Sequence, residues 1–567
     1  MINKYYKQQL YKSTDSGHSW TAMDVYQMGA IMELEGDDCS PKFRTVSGTP
    51  YCDGYNRCIN LITEVSYDGG DTWEYIASKS VVVERNSVEC GFPTYLTFVA
   101  KESGNFWFEP IWSGEYQGLY YSLDDGETWA FLDTPWIMTP RVNAGQRIMW
   151  KAEYDSSKRL GTFNSNCDFE VIGTPMSLIY GDDFMNHRDL SGKDYVFWRL
   201  FMGCTKLISA ENMSLYATNI SNTSRCCAQM FDGCTRLTKA PRILTPTSLG
   251  SECYWEMFYG CTSLTTAPEL PATNLENQCY TYMFEGCTSL TTAPELPATT
   301  MAIYCYGGMF KGCTSLTTAP ELPATSLANG FDCYEGMFEG CTSLTTAPLL
   351  NATTISMGCY QGMFKDCTSL TTVQSVLPAT SLFYGCYTGM FQGCTSLTTA
   401  PSLPAERMSP YCYYAMFSGC TSLTTAPALP ATILHWEGES CYNSMFEGCT
   451  SLTTAPTLSS QGLADYCYSN MFKGCTSLTT APDLLVSSLR QGCYENMFSG
   501  CTSLNYVKCT ATDVTASNCT SNWLSGVAQY GTFVKDASMS VVTTSTQGNY
   551  WILGSSGCPS YWTVQDA

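Results

Sequence analysis

The most regular feature of the chain is a pattern of apolar and polar positions that returns every 26 to 30 residues. One copy reads Cys279-Tyr-Thr-Tyr-Met-Phe-Glu-Gly-Cys287-Thr-Ser-Leu-Thr-Thr-Ala-Pro-Glu-Leu-Pro-Ala-Thr. Its second cysteine recurs at 204, 234, 261, 287, 313, 341, 367, 394, 420, 449, 475 and 501, which defines twelve units. Cys279, Met283 and Cys287 are spaced i, i+4, i+8, with Tyr280 and Phe284 one step round. That spacing predicts one apolar face of a short helix, with Gly286 suited to its C-terminus. Thr-Ser-Leu290-Thr-Thr predicts a short strand, which Pro294 should end because it has no N–H to give. Pro-Glu-Leu-Pro-Ala-Thr is then an extended return. A short parallel strand plus a short helix per unit is the geometry of a leucine-rich-repeat solenoid.

Outside the units the pattern changes. Residues 1–190 carry a second motif three times: Ser13-Thr-Asp15-Ser-Gly17-His-Ser-Trp20, Ser66-Tyr-Asp68-Gly-Gly70-Asp-Thr-Trp73 and Ser122-Leu-Asp124-Asp-Gly126-Glu-Thr-Trp129. An Asp accepting local N–H bonds, a Gly free to take positive φ and a packing Trp predict a β-hairpin turn. The expected organisation is multidomain. All-β modules with these hairpins occupy 1–92, and a β-sandwich-like domain occupies 93–190. A leucine-rich-repeat solenoid of twelve units follows over 191–510. A C-terminal cap over 511–567 folds Trp523, Trp551 and Trp562 across the last rung.

The chain has 32 cysteines. Eleven units carry one eight residues before the second, as in Cys253/Cys261. On a helix such a pair lies about 12 Å apart at roughly 1.5 Å per residue, beyond the reach of a disulfide, about 7 Å between Cα atoms. Two columns of small buried thiols are expected, with an inter-rung disulfide ladder as the alternative. C-x7-C is not a zinc spacing, and the histidines number 3, so no metal and no cofactor is expected. With 29 basic and 51 acidic residues the net charge is −22, which argues against nucleic acid and anionic membranes as partners. No run of about 18 apolar residues predicts membrane insertion. Met1-Ile-Asn-Lys-Tyr-Tyr-Lys-Gln-Gln-Leu10 lacks an apolar h-region, so no signal peptide is expected there.

Phe-x-Gly-Cys-Thr-Ser-Leu-Thr resembles the BspA-like leucine-rich repeat of gut Bacteroidetes surface proteins. The form Met-Phe-x-Gly-Cys-Thr-Ser-Leu-Thr-Thr-Ala-Pro is similar to one carried by Bacteroidetes and their crAss-like phages. Ser-x-Asp-x-Gly-x-Thr-Trp resembles the Asp-box of sialidase propellers, where the box lies away from the active site. The resemblance implies a non-enzymatic virion structural or adhesion protein, tail- or head-fibre-like, with no catalytic residues. A bacterial cell-surface adhesin is the alternative, and a glycan-acting enzyme with Asp-boxes the second. The implied partners are a host cell-surface glycan or protein and other virion proteins, with a homo-oligomer allowed for. The implied location is the virion, assembled in the host cytoplasm, or else the bacterial surface. Repeats vary most in the loop before Cys-Tyr and in the two positions after it, the arrangement of a binding surface. Aromatic residues at variable positions are the candidate ligand contacts: Trp255, Tyr282, Phe331, Tyr384, Tyr414 and Trp436.

Overall fold

A computed structural model describes residues 94–567 apart from 111–116, 133–135, 156–159, 433, 435–437 and 544–548; of residues 1–93 it describes the backbone of six strands. Two compact units result, Met1–Thr94 and Tyr95–Ala567. In the first, β1 (Leu10–Lys12) pairs with β2 (Thr21–Met23), and β3 (Lys42–Ser47), β4 (Tyr51–Asp53) and β6 (Glu74–Glu84) all pair antiparallel with β5 (Asn56–Ser66). The first two copies of the Ser-x-Asp motif fall almost wholly outside the described residues.

The second unit begins with β7 (Leu96–Ala100), β8 (Phe106–Glu109), β9 (Leu119–Ser122), β10 (Ala130–Leu132), β11 (Arg147–Lys151), β12 (Thr162–Ser165) and β13 (Phe169–Gly173). Alternating apolar residues put Phe98, Trp150 and Phe169 on one side, facing Phe106 and Phe163 of the β8–β12 ribbon. The larger sheet has the order β10-β9-β11-β7-β13-β14, and β14 (Leu207–Met213) belongs to the first repeat. The β13–β14 pair is parallel. Phe201 of that repeat reaches Phe98 and Phe163 at 5.8 Å. Residues 95–190 and the repeats therefore share one sheet and one aromatic core, which closes the first rung.

The expected helix is absent from the repeats: among the described residues the one α-helix is Ser177–Tyr180. In its place runs a chain of overlapping turns. In the fourth unit, N–H groups of Gln278, Tyr280, Tyr282, Phe284 and Gly286 donate to carbonyls of the next rung at 2.8–3.0 Å. Those of Thr281, Met283, Glu285 and Cys287 donate three residues back within their own rung at 3.0–3.4 Å. Every fourth residue is left-handed: Gln278 (φ 57°), Tyr282 (φ 55°) and Gly286 (φ 74°). An α-helix admits no such residue. The pattern has a period of four rather than 3.6, so cysteine, methionine and cysteine stay on one face without drift. The i, i+4, i+8 face was correctly placed inward; the element carrying it is a ladder of turns. Gly286 closes the last turn rather than capping a helix.

The strand is also shorter than expected. Thr292 meets Thr318, and Thr399 meets Thr425, through single parallel bridges, because the Ala-Pro that follows cannot continue a ladder. Leucines of the return segment make a second row, such as Leu322 with Leu350, and the variable loops a third, such as Ser326 with Thr354. Among the described residues, longer strands of the repeats lie near the ends of the stack: β14, β15 (Asn219–Ser224), β16 (Ser248–Ser251) and β17 (Tyr506–Cys509).

Side chains stack in register behind this ladder. Phenylalanines from Phe201 to Phe498 follow one another at 5.2–5.8 Å, within 9° of parallel. Tyrosines from Tyr254 to Tyr494 form a second column at 5.5–6.2 Å. The 28 cysteines whose side chains are described are all free and buried.

The ladder extends one rung past the last second-cysteine unit. Asn518, Asn522 and Gly526 take the left-handed positions, and Tyr494, Asn496, Phe498 and Gly500 donate to carbonyls of 519, 521, 523 and 525. Trp523 lies against Tyr494 at 6.1 Å and Trp551 at 5.5 Å. Beyond it, β18 (Thr532–Lys535) pairs in parallel with β17 and with β21 (Thr563–Asp566), beside a small pair of β19 (Val541–Val542) and β20 (Trp551–Ile552).

Candidate functional site

Besides its inward face, each rung carries three pairs of residues, two just before the first cysteine, two after Cys-Tyr, and two after Met-Phe; the middle pair is the most covered, with Thr281, Gly308, Gly336 and Gly389 buried. The outermost residue of the first pair is Ile303, Phe331, Met357 and Tyr384 on consecutive rungs. Hydrogen bonds from Gln278, Tyr304, Asp332 and Gly358 to their carbonyls, at 2.8–3.0 Å, fix that equivalence. These four side chains are 40–52% exposed. Phe383, next to Tyr384, is 50% exposed.

Aromatic contacts prolong the ridge at both ends. Tyr384 meets Tyr411 at 5.5 Å, and Tyr411 meets Tyr414 at 5.9 Å. At the other end Tyr282 meets Tyr304 at 5.9 Å, with their hydroxyls 2.6 Å apart. The Tyr282 ring lies across Gly308, where an added Cβ would come within 2.2 Å of it.

Four of the six candidate contacts, Tyr282, Phe331, Tyr384 and Tyr414, thus fall on one band across rungs four to nine. Trp255 lies one rung before it, half-buried, with the Arg225 guanidinium over its ring at 5.1 Å. Trp436 lies outside the described residues. Ile303, Tyr304, Met357 and Tyr411 belong to the band and are not among the candidates. Their signal is position: each stands one or two residues before the first cysteine of its unit.

Charges beside the band are mutually engaged. Glu339 bridges Lys311 and Lys365 at 3.1 Å each. Burial holds the Glu335 and Asp332 carboxyls above the usual carboxylate range. Nearer the start of the stack, burial and the neighbouring Glu256 push Asp232 up to about 6. Among the described residues no group of three His, Cys, Asp or Glu could hold a metal ion, and no helix is long and apolar enough to cross a membrane.

A family model described as the BspA type leucine rich repeat region (6 copies) matches residues 199–325, 228–361, 278–424, 332–478 and 415–523, together more than half of the chain. The chain belongs to the BspA-type leucine-rich-repeat family. No curated protein matches it. The aromatic band lies wholly within the matched residues. In this BspA-type chain the repeat supplies a constant inner wall, and the variable outer pairs supply the band.

Proposed function

We propose that this is a non-enzymatic adhesion protein whose repeats present the aromatic band of rungs four to nine to a cell surface. The observation that carries this is the run of exposed apolar side chains from Ile303 to Tyr384 at one position of consecutive rungs. A contiguous exposed apolar patch on a rigid scaffold is the usual mark of an interaction site. Its setting, in this reading, is a virus particle of gut bacteria, as a tail- or head-fibre-like component. Free buried thiols fit folding in a reducing cytoplasm, where particles assemble. Bonds in the third Ser-x-Asp motif support reading that copy as an Asp-box turn. Asp124 accepts from the Thr128 N–H at 2.9 Å and the Thr128 hydroxyl at 2.5 Å, between paired β9 and β10.

The test uses the labelled full chain on intact Bacteroidetes cells. Binding that Phe331→Ala with Tyr384→Ala abolishes supports the reading; binding unaffected by the pair overturns this placement of the surface. Mass spectrometry of purified particles places the protein on the virion, whereas recovery in a bacterial outer-membrane fraction assigns it to the cell surface instead. Release of sugars from host glycans would overturn the non-enzymatic reading.

A further inference from the structure

We propose that the occupant of this band is an uncharged linear polysaccharide lying along the stack axis, across rungs six to eight. The proposal rests on the adhesion reading above and specifies its ligand.

The first ground is shape. Ile303, Phe331, Met357 and Tyr384 form one wall of a shallow trough. The opposite wall is Lys311, Glu339, Lys365 and Gln392. Between them the second residue after Cys-Tyr is glycine on four consecutive rungs, Gly308, Gly336, Gly362 and Gly389. Left-handed backbone favours glycine there. It does not require it, since Glu256, Ala415, Asn470 and Asn496 hold the same position at φ 52–54°. At Gly336 a Cβ would meet nothing closer than 3.4 Å, and at Gly362 nothing closer than 4.0 Å. At rung five the Tyr304 and Tyr282 rings lie over Gly307 and Gly308, so the floor is lower than the fold demands across rungs six to eight, two steps of about 4.8 Å, with Gly362 part-exposed at its middle.

The second ground is the chemistry of the walls. One side is apolar and aromatic, and the floor adds Gln361, which gives one amide N–H to Glu335, and Thr388, whose hydroxyl is donated to the Tyr411 carbonyl and is left as an acceptor. Sugars match this: a ring's C–H face packs on an aromatic side chain while its hydroxyls donate to a hydroxyl such as that of Thr388 and exchange hydrogen bonds with an amide such as that of Gln361. Charge selects further. Both lysines of the polar wall are held by Glu339, so a polyanion gains little here. Backbone chemistry excludes an added peptide strand. The N–H groups of Tyr306, Gly308, Phe310 and Gly312 already donate to the next rung, and carbonyls of the following rung receive them. Strand addition needs such groups unpaired.

The experiment measures binding of the full chain by affinity electrophoresis and calorimetry. The probes are a linear β-glucan, a linear mannan and dextran, against polygalacturonate and hyaluronan as anionic polymers. The expected result is binding to at least one neutral polymer, insensitive to salt, with affinity falling about tenfold for each of Phe331→Ala and Tyr384→Ala. Gly362→Asn should block binding with the fold intact, since asparagine occupies the equivalent position at 470 and 496. Tyr561→Ala, exposed but far along the chain, should leave binding unchanged. Binding only to anionic polymers, or neutral binding untouched by the trough variants, overturns the proposal. If cells are bound through Phe331 and Tyr384 but no neutral polymer is, the proposal fails while the adhesion reading stands. If neither cells nor polymers are bound, both fall.

Discussion

The second cysteine of each unit from the second to the twelfth has a defined partner. Cys341 Sγ donates to the Phe310 carbonyl of the preceding rung at 3.1 Å, and its counterparts from Cys234 to Cys501 do the same at 2.9–3.1 Å. That carbonyl already accepts an N–H from its own rung, so the buried thiol fills a second lone pair. Cys341→Ala should lower stability by about 1–2 kcal/mol, read as a drop in the calorimetric midpoint. The tyrosine column behaves oppositely. The Tyr306 hydroxyl is buried without a partner, so Tyr306→Phe should leave the midpoint unchanged or raise it. Burial pushes thiols such as Cys367 up to about 12, so alkylation should be slow in the native protein and complete after denaturation. Asp232 supplies the pH dependence. A carboxyl raised to about 6 favours the folded state while protonated. That contribution is present in acid and is lost as pH climbs through about 6. Asp232→Asn should therefore raise the midpoint near pH 8 and change little near pH 4.

At the scale of the element, the sequence marked the inward face correctly and misassigned the backbone. Apolar spacing of four reads as a helix because 3.6 and 4 are indistinguishable over two turns. The distinguishing signal was the residue type at each left-handed position. Gly, Asn or Asp stands at both outer positions in several units, as with Asn470 and Gly474, a composition a helix interior would not hold. The stabilising partner of each turn is the next rung, which no local pattern displays. The same applies to the site. Phe331 and Tyr384 were visible as exposed aromatics. Ile303 and Met357 join them only once loops of unequal length are aligned by inter-rung hydrogen bonds. Asp366 tests the turn argument, because it occupies at φ 58° the closing position that glycine holds at Gly340 and Gly419. Its side chain is exposed. Asp366→Gly should raise stability by about 0.5–1 kcal/mol, since relief of left-handed strain outweighs the added freedom of the unfolded chain.

Over the whole repeat stack, each rung touches its two neighbours, and the two ends are closed differently. At the first end, Phe201 is embedded in the aromatic core of Phe98 and Phe163, and β14 continues a six-stranded sheet. At the other end the columns stop on a single residue. Trp523 is fully buried, stacks on Tyr494 and Trp551, touches Phe533 at 6.2 Å, and donates from Nε1 to the Gly557 carbonyl at 2.8 Å. It stands where earlier rungs carry methionine, so it covers both the tyrosine and the phenylalanine column. Trp523→Ala should open a cavity costing about 3–5 kcal/mol. In a stack whose stability is a sum of rung and neighbour terms, that loss stays near the end where it is made. Hydrogen exchange should show amides of roughly 441–526 losing protection while those of 253–341 keep theirs. Loss of protection along the entire stack would mean that the rungs fold as one cooperative block and that the C-terminal closure governs all of them.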